Sequence, residues 1–507
     1  MDPTILASLG LVIVLGLVLR PSKHDPREPP FLASRVPAIG HLIAFVVYGL
    51  RYFATQSAKT RVPAFSIDML FNKVYVINSP KLVAAIRRNH RTMSLDPLFT
   101  RTAQCVGGIH GPGLQLLRGK ESQGQGLGHA TTAALRPALL GEGLDQLNRK
   151  MIGYLSKSVE QLKSRGTVDL YDWCTLAMTL ASTEPIYGPM NPYSDSNARE
   201  AYWELEKNLS FLMMGVAPWL IARKAWKGRE YLSRAFLQYY QADGHLNSSQ
   251  LAYARWKTQH DGGAALEDIA RLEAAMGLGI LSNTVPSSFW AIFDIFSRPA
   301  LLQEIRDEIW QNALSVTTEG VHTVDLADVQ ERCPLLLASF QEMLRLRSNS
   351  LQLRVIYEDT MLDDSYLVKA GSIIVIPASV INRDEAAWGA DADAFNPQQF
   401  ISTAAGEKRQ KASAYMSFGS SPHICAGRHF ATGEIVALLT MLILQFEIRP
   451  VAGEWVEPPT NVNAVAASLS PPLGQTSVTI TERPEVEGVK WDFRLTPGRG
   501  RHGLIIG

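Results

Sequence analysis

One thiol sets the chemistry this chain can attempt. Cys425 lies in the stretch Phe418-Gly419-Ser420-Ser421-Pro422-His423-Ile424-Cys425-Ala426-Gly427-Arg428-His429-Phe430-Ala431, a run of small residues leading into a long apolar segment. If that segment is a helix, its free N–H groups and positive end favour a thiolate at Cys425. A thiolate with no second cysteine beside it is a poor zinc or iron–sulfur site, since those take about four ligands. It suits a metal that brings its other ligands along, of which haem is the usual case. The plain alternative is a buried, inert cysteine in a core helix. Two further groupings could do chemistry. Glu342 and Arg345 stand three apart in an apolar helical pattern, which favours a buried ion pair over a solvated one. Ser282-Asn283-Thr284-Val285-Pro286 interrupts another apolar pattern, and Pro286 leaves the Ser282 carbonyl without its i+4 donor.

Together these residues resemble the cytochrome P-450 family. Its cysteine loop reads F-x-x-G-x-x-x-C-x-G, and here Ser421 replaces the second glycine. The resemblance implies that Cys425 is the axial ligand of haem b iron, with Phe418 beside the sulfur and Gly427 giving the backbone close approach. It also implies that His423 reaches a haem propionate and that Arg354, opening a strand, reaches one too. Glu342 and Arg345 match the family's E-x-x-R, about eighty residues before the cysteine. A third member normally comes from a P-E-R-F segment. This chain reads Phe395-Asn396-Pro397-Gln398-Gln399-Phe400, so Gln399 stands where the arginine belongs and a neutral hydrogen bond is expected to finish the pair. No W-x-x-x-R occurs in 115–140, which leaves a second propionate partner unassigned there. Over the iron, relatives place an acid and then a threonine. Here the register gives Ser282 and Asn283, and Asn283 with Thr284 is the expected route for proton delivery. The N-T-x-P-x-x-F-W pattern resembles the branch of the sterol 7α-hydroxylases, prostacyclin synthase and fungal relatives, which holds both monooxygenases and an isomerase.

The elements that must position these residues are mostly helical. Periods of 3.6 run through 201–214, 266–297 and 335–346, and short strands are predicted at 65–77, 354–357, 372–377 and 476–481. The expected fold is mainly α, a large helical domain with small sheets over 31–507. Residues 107–113 are glycine-rich but fit no phosphate-binding motif, so a flexible loop is expected. The 46% hydrophobic content and net charge of +1 describe a large core with no attraction to nucleic acid. Cys105, Cys174, Cys333 and Cys425 include no C-x-x-C, which points to a reducing compartment. Residues 3–19 carry no charge, and Arg20, Lys23 and Arg27 follow. About 17 apolar residues are the minimum for a span, so 1–20 reads as an uncleaved single-pass anchor with its C-terminal side in the cytoplasm. Residues 21–30 then read as a Pro-rich, extended hinge. The long apolar stretches 274–293 and 435–444 read as buried core helices.

The function implied is that of a haem-thiolate monooxygenase on the endoplasmic reticulum membrane, fed by a separate NADPH–cytochrome P-450 reductase because the chain holds no flavin module. Its pocket is expected from 94–115, 209–220, 282–290 and 348–353. Their apolar composition favours a lipophilic terpenoid, sterol or alkaloid, and the branch resemblance suggests specialised metabolism. Two other readings stay open on the sequence. Ser282-Asn283 in place of acid and threonine favours an isomerase or dehydratase that needs no reductase. Ser421 and Gln399 favour a membrane-anchored binding protein without turnover.

Overall fold

The computed structural model describes residues 24–36, 39–69, 72–119, 126–401 and 405–500. The expected anchor at 1–20 lies outside them. Of the expected hinge, 24–30 is described, and it does not stand off as an extended spacer. Arg27 turns back onto Asp25 at 2.8 Å, and Glu28 is buried, accepting from Lys73 Nζ and Tyr75 OH at 2.7 Å each.

Eight helices frame the site. They are α1 (Leu127–Ala138), α2 (Gly141–Glu160), α3 (Leu170–Tyr187), α4 (Ser196–Lys207), α5 (Leu266–Leu281), α6 (Thr284–Phe296), α7 (Pro334–Arg347) and α8 (Arg428–Gln445). The apolar stretch 274–293 is divided between the end of α5 and most of α6, and 435–444 lies inside α8. Every residue of α6 is buried, packed among α3, α7 and α8. From Thr432 to Gln445, α8 is likewise buried throughout. Hydroxyls that such helices carry return to their own backbone, as Thr440 Oγ1 does to the Val436 carbonyl at 2.7 Å. Asp294 near the end of α6 is 2% exposed and is neutralised by Arg347 of α7 at 2.6 Å, which ties the two helices together. Among the described residues no helix is long and apolar enough to cross a membrane.

Two expectations shift. The helix over 201–214 divides into α4 and Leu209–Met213, because Asn208 leaves helical geometry and its amide takes the Glu204 carbonyl at 3.0 Å. The glycine-rich 107–113 is only partly loop: a π turn ends at Gly107 and a new helix runs Gly111–Arg118, with Pro112 at its start where no N–H is needed.

A five-stranded sheet stands beside the helices in the order β1-β2-β5-β4-β3, with β1 (Ala64–Met69), β2 (Asn72–Ile77), β3 (Met93–Ser94), β4 (Leu351–Ile356) and β5 (Ile373–Pro377). Strands β1 and β2 are antiparallel, with Met69 and Asn72 partners in register. Alternation along β4 sorts its residues between two cores. Leu351 and Leu353 join Val74, Val76 and Val375 against Tyr52 and Phe53, while Ile356 faces the main helical core with Tyr75 and Ile374. Arg354, two residues before Ile356, therefore points to the helical side.

Candidate active site

The loop that carries Cys425 is built from backbone contacts that demand small residues. Gly419 adopts φ +85°, and a Cβ there would sit 2.8 Å from the His423 carbonyl oxygen and 3.3 Å from Gln352 Oε1. Cys425 N donates to the Phe418 carbonyl at 2.8 Å, and His423 N to that of Ser420 at 2.9 Å, which folds the loop back on itself. Phe418 packs against the main core. At Gly427, the N-cap of α8, φ is an ordinary −81°, so the glycine is there for space. The one atom a Cβ would approach within 4 Å is Cys425 Sγ, at 3.9 Å. A side chain at Gly427 would therefore stand next to the sulfur. Cys425 is exposed, whereas Cys105, Cys174 and Cys333 are all buried. Burial nevertheless raises its thiol pKa, opposed by the N–H groups of Gly427 and Arg428 and by the Arg428 charge. A cation bound at the sulfur would favour the thiolate.

Beside this loop the basic side chains of Arg354, His423, His129, Arg136 and His90 come together. Arg354 is 2% exposed, yet its guanidinium meets the Leu353 carbonyl at 2.7 Å and Ser420 O and Oγ only at 3.4 Å. Burial brings its pKa down to about 10. Burial also depresses His423 to about 4, helped by Arg354, His129, Arg136 and His90, all of them basic. Arg136 Nη2 reaches the Pro422 carbonyl at 3.4 Å, and His129 is shared with Asp96 at 3.5 Å. A dianionic group with its carboxylates at this corner would relieve the burial and the repulsion together. The residues present therefore fit haem. Sequence reasoning singled out Arg354 and His423; His129 and Arg136, which the structure brings to the same place, it did not single out. Their spacing of seven, one face of α1 two turns apart, was the available signal.

The Glu342–Arg345 pair is fully buried and bidentate, at 2.6 and 2.8 Å. Arg345 spends its other donors on the carbonyls of Asn382 (2.9 Å), Ala392 (2.6 Å) and Ala394 (3.3 Å), and its plane lies 4.8 Å from the Trp388 ring. The third partner is neutral, as expected, but it is not Gln399. The backbone N–H of Asn396 donates to Glu342 Oε1 at 2.7 Å, and Gln399 Oε1 is buried without a partner. The short segment 392–396, rather than a long side chain, closes the network.

The break expected around Pro286 separates α5 from α6, with Ser282 and Asn283 between them. Pro286 falls in the first turn of α6, where its missing N–H is tolerated, so the chain restarts a helix instead of kinking one. Ser282, 1% exposed, bonds Tyr202 OH of α4 at 2.9 Å. Thr284 Oγ1 donates back to the Ile280 carbonyl at 3.1 Å, and Asn283 Oδ1 accepts from the Ser468 N–H at 2.7 Å. Strand β4 joins this region to the cysteine loop: Ser348 and Asn349 just before it hold residues 468–470, and Arg354 near its end holds Ser420. Segments expected to line the pocket also meet. Arg101 reaches the Met214 carbonyl at 3.3 Å, which joins 94–115 to 209–220.

Comparison with known proteins agrees with this geometry. The family model described as Cytochrome P-450 matches residues 29–478. A cytochrome P-450 monooxygenase of Hypoxylon pulicicidum, nodJ, is 41% identical over 515 residues, covering 99% of both chains. One from Gibberella zeae is 27% identical over 507 residues, covering 96% of this chain and 95% of its own. Cholesterol 7-alpha-monooxygenase of Cricetulus griseus is 29% identical over 210 residues, 38% of this chain and 41% of its own length. The chain belongs to the cytochrome P-450 family. It is a monooxygenase of that family, whose cofactor is a haem with thiolate-bound iron.

Proposed function

We propose that Cys425 is the thiolate ligand and that the enzyme oxidises a lipophilic small molecule, of terpenoid, sterol or alkaloid type, in specialised metabolism. The observation that carries the ligand assignment is an accessible thiol in the same loop as Ser420, where the buried Arg354 guanidinium meets only carbonyl and hydroxyl oxygens. Bound haem supplies oxygen activation at an iron that the thiolate makes electron-rich. Arg354, His423 and Arg136 hold its propionates, Phe418 shields the sulfur, and Gly427 keeps the approach to it free. The buried Glu342–Arg345 pair fixes the segments behind the loop. At the helix break, Thr284 Oγ1 gives its own hydrogen to Ile280 and keeps its lone pairs free to accept from a water, so it can take part in proton delivery beside Asn283.

The partial likeness to a cholesterol 7-alpha-monooxygenase supports a sterol-like substrate size. Membrane residence is supported by the uncharged run at 3–19 and by apolar side chains turned to solvent, among them Val47 on the helix Gly40–Tyr48 and Trp219 and Leu220 on Pro218–Ile221. Electrons come from a separate NADPH–cytochrome P-450 reductase. Incubation with reductase, NADPH and ¹⁸O₂ tests the reading: one labelled oxygen in the product is expected. A product that forms without NADPH and without label would assign the chain to isomerase chemistry instead.

A further inference from the structure

We propose that Asn283 is a positioning residue: its amide oxygen clamps a C-terminal strap, residues 461–471, onto the helix break, and the strap so held forms a wall of the substrate pocket. The proposal rests on the reading above, in which the break lies over the haem.

The strap is closed on itself by Asn461 N donating to the Pro471 carbonyl at 2.9 Å. Between those ends it belongs to no ladder beyond single bridges, so what places it is a small set of bonds from elsewhere. Asn283 Oδ1 takes the Ser468 N–H at 2.7 Å. Asn349 takes the other side of the same residue, donating its N–H to the Ser468 carbonyl at 2.8 Å and its amide to Ser470 Oγ at 2.6 Å. Trp290 Nε1 donates to the Ser470 carbonyl at 2.9 Å. These partners come from the break, from α6 and from the residue that leads into β4. Within the strap, Ala464, Ala467 and Leu469 are buried. A loop with this many converging partners is held at a fixed height over the break.

The side-chain type follows from reach. A hydroxyl on Cβ at a helix start bonds back to the preceding turn, as Thr284 does to Ile280 at 3.1 Å. An amide oxygen lies one bond further out and can leave the helix to meet another segment. The amide also restricts Asn283 in proton transfer. A relay must accept one proton and release another. A hydroxyl does both at one atom, whereas the Asn283 Oδ1 accepts without a proton to release and the amide nitrogen does not accept. Proton movement then falls to Thr284 and water, while Asn283 holds the wall.

Hydrogen exchange on the haem-loaded full chain tests the clamp. Asn283→Thr and Asn283→Leu should speed exchange of the Ser468 amide by about tenfold or more, and Asn283→Asp, which keeps the acceptor, should restore protection. Asn349→Ala, which loosens the strap from the other side, should raise exchange at 468–470 with Asn283 intact. The pocket role is read with 4-phenylimidazole and a bulkier azole as iron-directed probes. The ratio of their spectral affinities should change by about threefold or more in the Thr and Leu variants and return in the Asp variant. Unchanged Ser468 protection in every Asn283 variant would overturn the clamp, and faster exchange with an unchanged azole ratio would overturn the wall. No azole shift in the unsubstituted protein would instead count against the haem site itself, which the exchange data do not need.

Discussion

Keeping the Arg354 guanidinium 2% exposed with carbonyl and hydroxyl partners alone leaves part of its hydrogen-bonding capacity to a ligand. Charge-assisted bonds of this kind contribute about 1.5–3 kcal/mol. Arg354→Met should therefore release haem to an acceptor globin at least about tenfold faster, with Arg354→Lys intermediate because a point charge lacks the planar fork. An unchanged transfer rate would remove Arg354 from the propionate site. At this scale the sequence was informative where residues sit contiguously: Phe418, His423, Cys425 and Gly427 form one loop and were recognisable as a unit. His129 and Arg136 of α1 and His90 approach that loop from distant parts of the sequence, and each alone reads as an ordinary surface base. The partner that completes the Glu342–Arg345 pair was misassigned to Gln399 because a backbone N–H, here that of Asn396, has no residue type to announce it.

Among the elements, α7 and α8 carry the groups most sensitive to change. Glu342→Ala leaves Arg345 buried without its anion, and breaking a fully buried pair costs about 3–5 kcal/mol. Little soluble protein is expected from that variant. Gln399→Leu should cost under about 1 kcal/mol, since no bond to Gln399 Oε1 is lost; a larger loss in thermal midpoint would restore Gln399 to the network. On α8, Glu434 is 1% exposed, and burial pushes its pKa up to about 8. The folded chain then holds a proton between the ordinary 4.5 and about 8 that the unfolded chain releases, so stability falls as pH rises through that window. Glu434→Gln should flatten this dependence and raise the midpoint at pH 8 relative to the unsubstituted protein. Parallel pH profiles would contradict the assignment. The helices themselves were legible from their period, and the break from Pro286. The division at Asn208 was not, because it depends on a side chain competing for one carbonyl.

For the whole molecule, the sheet and the helical bundle meet along β4, so one strand carries Arg354 to the cysteine loop and follows the residues that hold the strap at 461–471. That long-range arrangement, with β4 paired to β5 and β3, leaves no trace in local sequence pattern. Membrane residence belongs to this scale as well. The full chain should float with lipid vesicles, removal of residues 1–20 should weaken flotation, and Trp219→Glu with Leu220→Glu in the shortened chain should abolish it. Flotation unaffected by either change would place the contact elsewhere. The central claim, that this fold presents Cys425 as the haem thiolate, is tested most directly by the CO difference spectrum of the dithionite-reduced protein beside its Cys425→Ser variant. The account predicts a red-shifted thiolate band in the unsubstituted protein and its loss in the variant, even where haem is retained. The same band in both, or in neither, would contradict it.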